Sequence, residues 1–167
     1  MFVEAGIFEY HPGQRERFKA GVLWQDWARQ YPDIFDDLDR DIARNQAPLG
    51  YHFFEWLGAI FLYNSTGYLS LVEKYEFKNH ARKHAIMSQL VSAEVFDLIQ
   101  DHAAYQRTQC PDLLAYAPDM SDWFFCEVKG PRDRLQAIQK EFFEALARAS
   151  GKKIRLIRFR EASRITS

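Results

Sequence analysis

The stretch from Asp112 to Lys129 constrains this chain more than any other. Two apolar runs, Leu113-Leu114-Ala115-Tyr116 and Phe124-Phe125-Cys126-Glu127-Val128-Lys129, flank the turn cluster Pro118-Asp119-Met120-Ser121. Short runs bounded by turn formers pair as a hairpin. Side chains alternate along a strand, so Glu127 and Lys129 share one face and Val128 points to the other. The pairing brings Asp112 beside Glu127, and Gly130-Pro131 ends the second strand. A Glu-x-Lys on a strand is commonly a solvated ion pair worth about 0–1 kcal/mol. Here Trp123, Phe124 and Phe125 mark the strand as buried. Buried carboxylates side by side repel unless a cation lies between them. Oxygen ligands of this kind suit Mg2+ or Mn2+. A lysine beside such an ion can position or activate a water, which implies metal-dependent phosphodiester hydrolysis.

The string Pro111-Asp112, then Glu127-Val128-Lys129-Gly130-Pro131-Arg132-Asp133-Arg134-Leu135 and Gln139, resembles the VRR-NUC family of the PD-(D/E)XK nuclease superfamily. That family includes the nuclease domain of the Fanconi-associated nuclease and small stand-alone enzymes. The close likeness covers about residues 109–160. It implies an α/β, restriction-endonuclease-like core: a small mixed β-sheet of about four strands flanked by helices, plus extra N-terminal helices. It also implies metal held by Asp112, Glu127, the Val128 carbonyl and an acid from the helix before the first core strand. Lys129 would position the water, and Gln139 would help orient it. Products would carry 5′-phosphate and 3′-hydroxyl. Branched DNA, such as a four-way junction or flap, is the implied substrate, and a homodimer the implied assembly. Two other readings remain open at this level: a restriction- or phage-defence-type nuclease on linear DNA, and a non-catalytic nucleic-acid-binding module with a vestigial site.

At 167 residues, 47% hydrophobic and 16% aromatic, the chain is expected to form one compact domain with a substantial core. No apolar run approaches a membrane span. Met1-Phe2-Val3-Glu4 lacks a basic leader, so a cytoplasmic location is expected. Cys110 and Cys126 read as buried, reduced thiols. Net charge is −1, but residues 130–167 hold ten Lys and Arg against four Asp and Glu. Asp33, Asp36, Asp37, Asp39 and Asp41 form an acidic stretch elsewhere. Such asymmetry fits one face for a polyanion, and equally a helix and edge strand coated with cations. Arg132, Arg134, Lys152 and Lys153 are the expected nucleic-acid contacts.

Residues 1–48 are expected as a helical extension packed on a nuclease core of residues 49–167. Helices are predicted from Pro12 to about Gln30, from Pro32 to Asn45, over 51–64, from His80 to Tyr105 with a break near Ser92, and from Asp133 to Ser150. Strands are predicted at Leu69–Phe77, in the hairpin, and at Ile154–Phe159. The 51–64 helix is apolar nearly all round, so Glu55 within it must be paired, protonated or bound to metal. Glu55 is the expected upstream ligand. Glu73 is its rival, on the face shared by Leu71, Tyr75 and Phe77. Gln139 falls inside the stripe Leu135, Ile138, Phe142, Leu146 and Ala149, where a polar side chain requires a partner. Asp133 with Gln136 resembles a capping box. The five histidines suggest no ligand set; His80 and His84 share a helix face, and His11, His52 and His102 are scattered.

Overall fold

A computed structural model describes residues 2–105 and 110–163. Arg164, counted above among the basic residues, lies outside them. The elements are β1 (Phe2–Tyr10), α1 (Pro12–Lys19), α2 (Val22–Gln30), α3 (Asp37–Gln46), α4 (Phe53–Thr66), β2 (Leu69–Val72), α5 (Ala81–Leu90), α6 (Ala93–Tyr105), β3 (Leu113–Tyr116), β4 (Trp123–Lys129), α7 (Ala137–Ser150) and β5 (Ile154–Glu161). They form an α/β protein around a mixed five-stranded sheet of order β1-β5-β4-β3-β2. β2, β3 and β4 are antiparallel neighbours, while β4, β5 and β1 run parallel. The expected hairpin is present, with Leu113 opposite Cys126 and Tyr116 opposite Trp123. No described helix is long and apolar enough to cross a membrane.

Strand alternation splits the core in two. Leu113, Ala115, Phe124, Cys126 and Val128 face α4 and the N-terminal helices. Leu114, Tyr116 and Phe125 face α6 and α7. Two glycines set how closely α4 approaches. A Cβ on Gly58 would lie 2.8 Å from Val128 Cγ2, and one on Gly130 would lie 2.7 Å from Phe54 Cε2. Real Cβ contacts are never so short, so α4 rests on β4 only because both side chains are absent. This contact puts the first turn of α4, which carries Glu55, over the end of β4.

Several boundaries differ from expectation. Four strands were expected, and the fifth is β1, paired with β5 across nearly the whole chain. Residues 1–48 are therefore not helical throughout: Phe2–Tyr10 is an edge strand of the sheet. The 12–30 helix breaks at Gly21, whose φ of 81° is left-handed. α3 starts at Asp37 rather than Pro32, because Asp36 caps it: Asp36 Oδ1 accepts from Asp39 N at 2.8 Å. α7 starts one turn late. Asp133 Oδ2 accepts instead from Gly130 N at 2.8 Å and shapes the turn after β4. Gln136 becomes the cap, its N–H donating to Gln139 Oε1 at 3.0 Å. The buried face of α7 is Phe143, Leu146 and Ala147, and Ile138 is 42% exposed. β2 stops at Val72 because Glu73 (φ 52°) and Lys74 (φ 61°) both turn left-handed. The break at Ser92 is where the sequence placed it, with Ser92 Oγ accepting from Val95 N.

Candidate metal centre

At the end of β4 marked by Lys129, Asp112 and Glu127 are locked together through the backbone. Asp112 N donates to Glu127 Oε2 at 3.1 Å, and Val128 N donates to Asp112 Oδ2 at 2.9 Å. Glu127 Oε1 accepts from Lys129 Nζ at 2.8 Å and from Gln139 Nε2 at 3.3 Å. Asp112, Glu127 and Lys129 are all buried. The first turn of α7 thus delivers Gln139 to the same carboxylate oxygen as the strand lysine. The cap that starts the helix also orients this side chain, since its Oε1 is held by Gln136 N.

Glu55 and Glu73 both join this end of the sheet, so the two rivals are neighbours. His52, three residues before Glu55, is the third member. Ligand-capable atoms of His52, Glu55 and Glu73 lie within 4.8 Å of one another. Ligands on one ion at about 2.1 Å stand at most about 4.2 Å apart, so a modest closing would seat a cation. His52 Nδ1 is 2.6 Å from Glu73 Oε2, yet this buried nitrogen has no aligned hydrogen bond. The pair is a close ionic contact with Glu73, which a metal ion would have to replace. Sequence reading missed His52. His52 is the left-handed residue that precedes α4 rather than part of its helical face, so spacing along the chain gave no signal for it.

Glu73 is aimed by a buried clamp. Lys83 on α5 is 1% exposed, and its Nζ donates to Asp39 Oδ1 at 2.5 Å and to the Val72 carbonyl at 2.6 Å, with the Glu73 carbonyl at 3.4 Å. These carbonyls are turned out of the sheet by the two left-handed residues, a conformation that costs about 1–2 kcal/mol for each L-residue. The Glu73 N–H still pairs with the Asp112 carbonyl at 2.8 Å, tying the kink to β3. The acidic stretch is therefore not merely a solvated face, since Asp39 is buried in this clamp and Asp36 pairs with Arg82.

The electrostatics follow from two acidic sets near enough to feel each other, Asp112 with Glu127 and Glu55 with Glu73, of which only Glu55, Glu73 and His52 bring ligand atoms within 4.8 Å among the described residues. Burial, then the charges of Glu127, Glu55 and Glu73, hold the Asp112 carboxyl well above the usual carboxylate range. Burial raises Glu127 as well, against the pull of the Lys129 ammonium. Glu55 is pushed up to about 7 by burial and by Glu73. Burial works to lower His52, but the Glu73 carboxylate overrides it and raises the imidazole. Such a set is short of positive charge, and a divalent cation would relieve it.

The expected nucleic-acid contacts do not share one surface. Arg132 and Arg134 are exposed in the link between β4 and α7, next to Lys129. Lys152 and Lys153 line a groove with Trp123, where β4 begins. The strand's rise separates the two groups by roughly 20 Å. Compared with protein-family models and with curated proteins, the chain matches none.

Proposed function

We propose that this protein is a metal-dependent deoxyribonuclease of the VRR-NUC type, a PD-(D/E)XK enzyme with a restriction-endonuclease-like core and added N-terminal helices. One observation carries the reading: buried Asp112, Glu127 and Lys129 and half-buried Gln139 form a single hydrogen-bonded unit at a strand end. Asp112, Glu127, the Val128 carbonyl and Glu55 would hold Mg2+ or Mn2+, with Glu73 and His52 adding ligands on the Glu55 side. The Val128 N–H leaves the strand toward Asp112, and its carbonyl leaves by the same edge. Extending the register sets it opposite Pro111, which has no N–H to offer. That carbonyl is thus available to a cation.

Bound metal supplies charge neutralisation at the scissile phosphate and acidifies a water. The chain supplies the rest. Glu127 is pinned by Gln139 and by the Asp112 N–H, so its free lone pairs have one direction. Lys129 keeps an ammonium beside the reacting phosphorus, where it can orient the attacking water and shield developing charge. Arg132 and Arg134 extend from the same strand end toward flanking phosphates. The substrate we favour is branched DNA. Cleavage panels on single strands, duplex, 5′ flaps and four-way junctions with Mg2+ or Mn2+ test this. Hydrolysis that requires the metal and vanishes in Lys129→Ala supports it; no hydrolysis of any of the four ends it.

A further inference from the structure

The turn that feeds α4 carries two exposed apolar side chains for which the fold has no use. Leu49 is 66% exposed and Tyr51 58% exposed. The turn is firmly held. Gly50 is left-handed at φ 79°, its N–H bonds the Ala47 carbonyl at 2.8 Å, and a Cβ there would meet Lys19 Cε at 2.9 Å. His52 follows, also left-handed at φ 70°. An aromatic ring presented on a rigid support loses little entropy when it binds.

The ring stands beside two of the candidate ligands, His52 and Glu73. Its centroid is 6.5 Å from that of His52, and it lines a narrow cleft with Gln46, His52, Glu73 and Lys74. One cation shares that cleft and a second lies against the turn. Lys74 is in the cleft wall, and Arg15 reaches to 3.5 Å from the position of a Gly50 Cβ while its guanidinium rests over Phe54. Neither is in an ion pair among the described residues, and the Lys74 ammonium lies over the Phe77 ring. An exposed aromatic ring with a cation in the same cleft, beside a candidate phosphate-reacting centre, is the arrangement that holds a nucleotide by its base and backbone together.

We propose that Tyr51 is a base-stacking platform for the nucleotide next to the phosphate held at the metal centre, with Leu49 packing against the edge of that base. The proposal rests on the nuclease reading above. In a continuous duplex both faces of a base are already covered by its neighbours. Only an unstacked base, at an end, nick or branch, can lie on Tyr51. The residue therefore selects for local strand opening rather than for sequence.

The test measures binding in Ca2+ to 2-aminopurine oligonucleotides, with the labelled base either unpaired or inside a continuous duplex. A matched set lacks the base altogether. Wild type should quench the unpaired 2-aminopurine and leave the duplex one unchanged. Tyr51→Ala should weaken binding of the unpaired-base oligonucleotide by about 5- to 150-fold, the equivalent of about 1–3 kcal/mol for one base stacked on an aromatic ring. Binding of the abasic oligonucleotide should not change. Tyr51→Phe and Tyr51→Trp should retain the discrimination, and Leu49→Ala should lose a smaller part of it. The melting shift induced by Mn2+ should be the same in all variants, since none is a ligand. Equal losses on base-bearing and abasic oligonucleotides would make Tyr51 a structural residue and overturn the proposal. So would a Tyr51→Ala protein that binds both like wild type, or aromatic variants that fold but fail to discriminate. Should wild type bind and cleave DNA while Tyr51 is indifferent, only the stacking role falls. A wild type that neither binds nor cleaves any oligonucleotide removes the nuclease reading with it.

Discussion

The two ends of β4 make a useful contrast. Where the strand ends, Glu127, Asp112, Glu55 and Glu73 lie near enough to repel one another, and Lys129 hydrogen-bonds Glu127. Where it begins, Lys152 pairs with Asp122 at 3.1 Å and lies over the Trp123 ring, while Arg155 stacks on Phe124 with its guanidinium carbon 3.6 Å from the ring centroid. That second end is an open groove of about 490 Å3 in which every charge reaches solvent, a carboxylate or an aromatic face. One end stores repulsion in a largely buried site, and the other disperses charge of the opposite sign. Stored, uncompensated charge marks where a ligand belongs, because folding alone does not favour it. Counting charges along the chain blurs this. Much of the basic C-terminal third is spent locally, with Arg158 and Arg160 pairing Glu4 and Glu9 of β1.

The contrast breaks most sharply under substitution. Asp112→Ala, Glu127→Ala and Lys129→Ala are each expected to abolish metal-dependent cleavage, whereas Lys152→Ala and Arg155→Ala should leave its rate nearly unchanged. A plasmid or flap cleavage assay decides. Asp112→Asn should also abolish cleavage while raising the melting temperature of the metal-free protein, because it removes a source of repulsion that the function requires. No such opposition of stability and activity is expected at the other end.

Packing gives the next largest effect. Gly58→Ala and Gly130→Ala should destabilise by about 1–3 kcal/mol despite the better helix propensity of alanine at 58, since each new Cβ collides with Val128 or Phe54. Chemical denaturation measures this. Weakened Mn2+ binding in the folded fraction would show that the α4 contact aims Glu55.

A smaller effect is set by pH. Folded-state values for Glu55 (about 7), Asp112 and Glu127 lie above those of unfolded carboxyls, so the folded protein holds more protons between about pH 4.5 and 7. His52 is raised in the same sense. Stability from these groups is present at low pH and is lost as pH rises through the folded values. The metal-free protein should thus melt lower at pH 8 than at pH 5.5. Mn2+ should remove the difference, and its affinity should climb over that interval as it displaces protons. Calorimetry with and without Mn2+ reads both.

Salt sensitivity separates the ends most finely. Binding of DNA should weaken with salt by a log-log slope of roughly −0.9 per phosphate contact. Removing Arg132 and Arg134 together should flatten that slope for every sequence equally. Removing Lys152 and Lys153 should not, if the duplex lies only at the acidic end. The reverse result would route DNA across the groove.

The hairpin and its three charged residues were legible because they depend on short-range rules. Alternation puts Glu127 and Lys129 on one face, and a short turn sets the register that pairs Asp112 with Glu127. Gln139 was singled out on a stripe that is not the buried face of α7, yet a contact with Glu127 is present. β1 was not, since its partner β5 lies some 150 positions away and Gly6 shifts its register midway. Nor were His52 and Lys83. A histidine at a turn and a lysine in a polar helix look solvated until other elements close over them.

Sequence alone thus determined the local unit: strands, turn, the Asp112–Glu127–Lys129 set, and Glu55 as a carboxylate on an apolar helix. Tertiary structure decided which charges share a volume. α4 could rest on β4 only through the bare Cα atoms of Gly58 and Gly130, which sets the turn carrying Glu55 near the end of that strand. Glu73 reached His52 only because Lys83, buried against Asp39, holds a kink that no strand pattern contains. The reason is range. Backbone periodicity acts over a few residues, whereas desolvation and Coulomb energy depend on distances that exist only after the chain has folded.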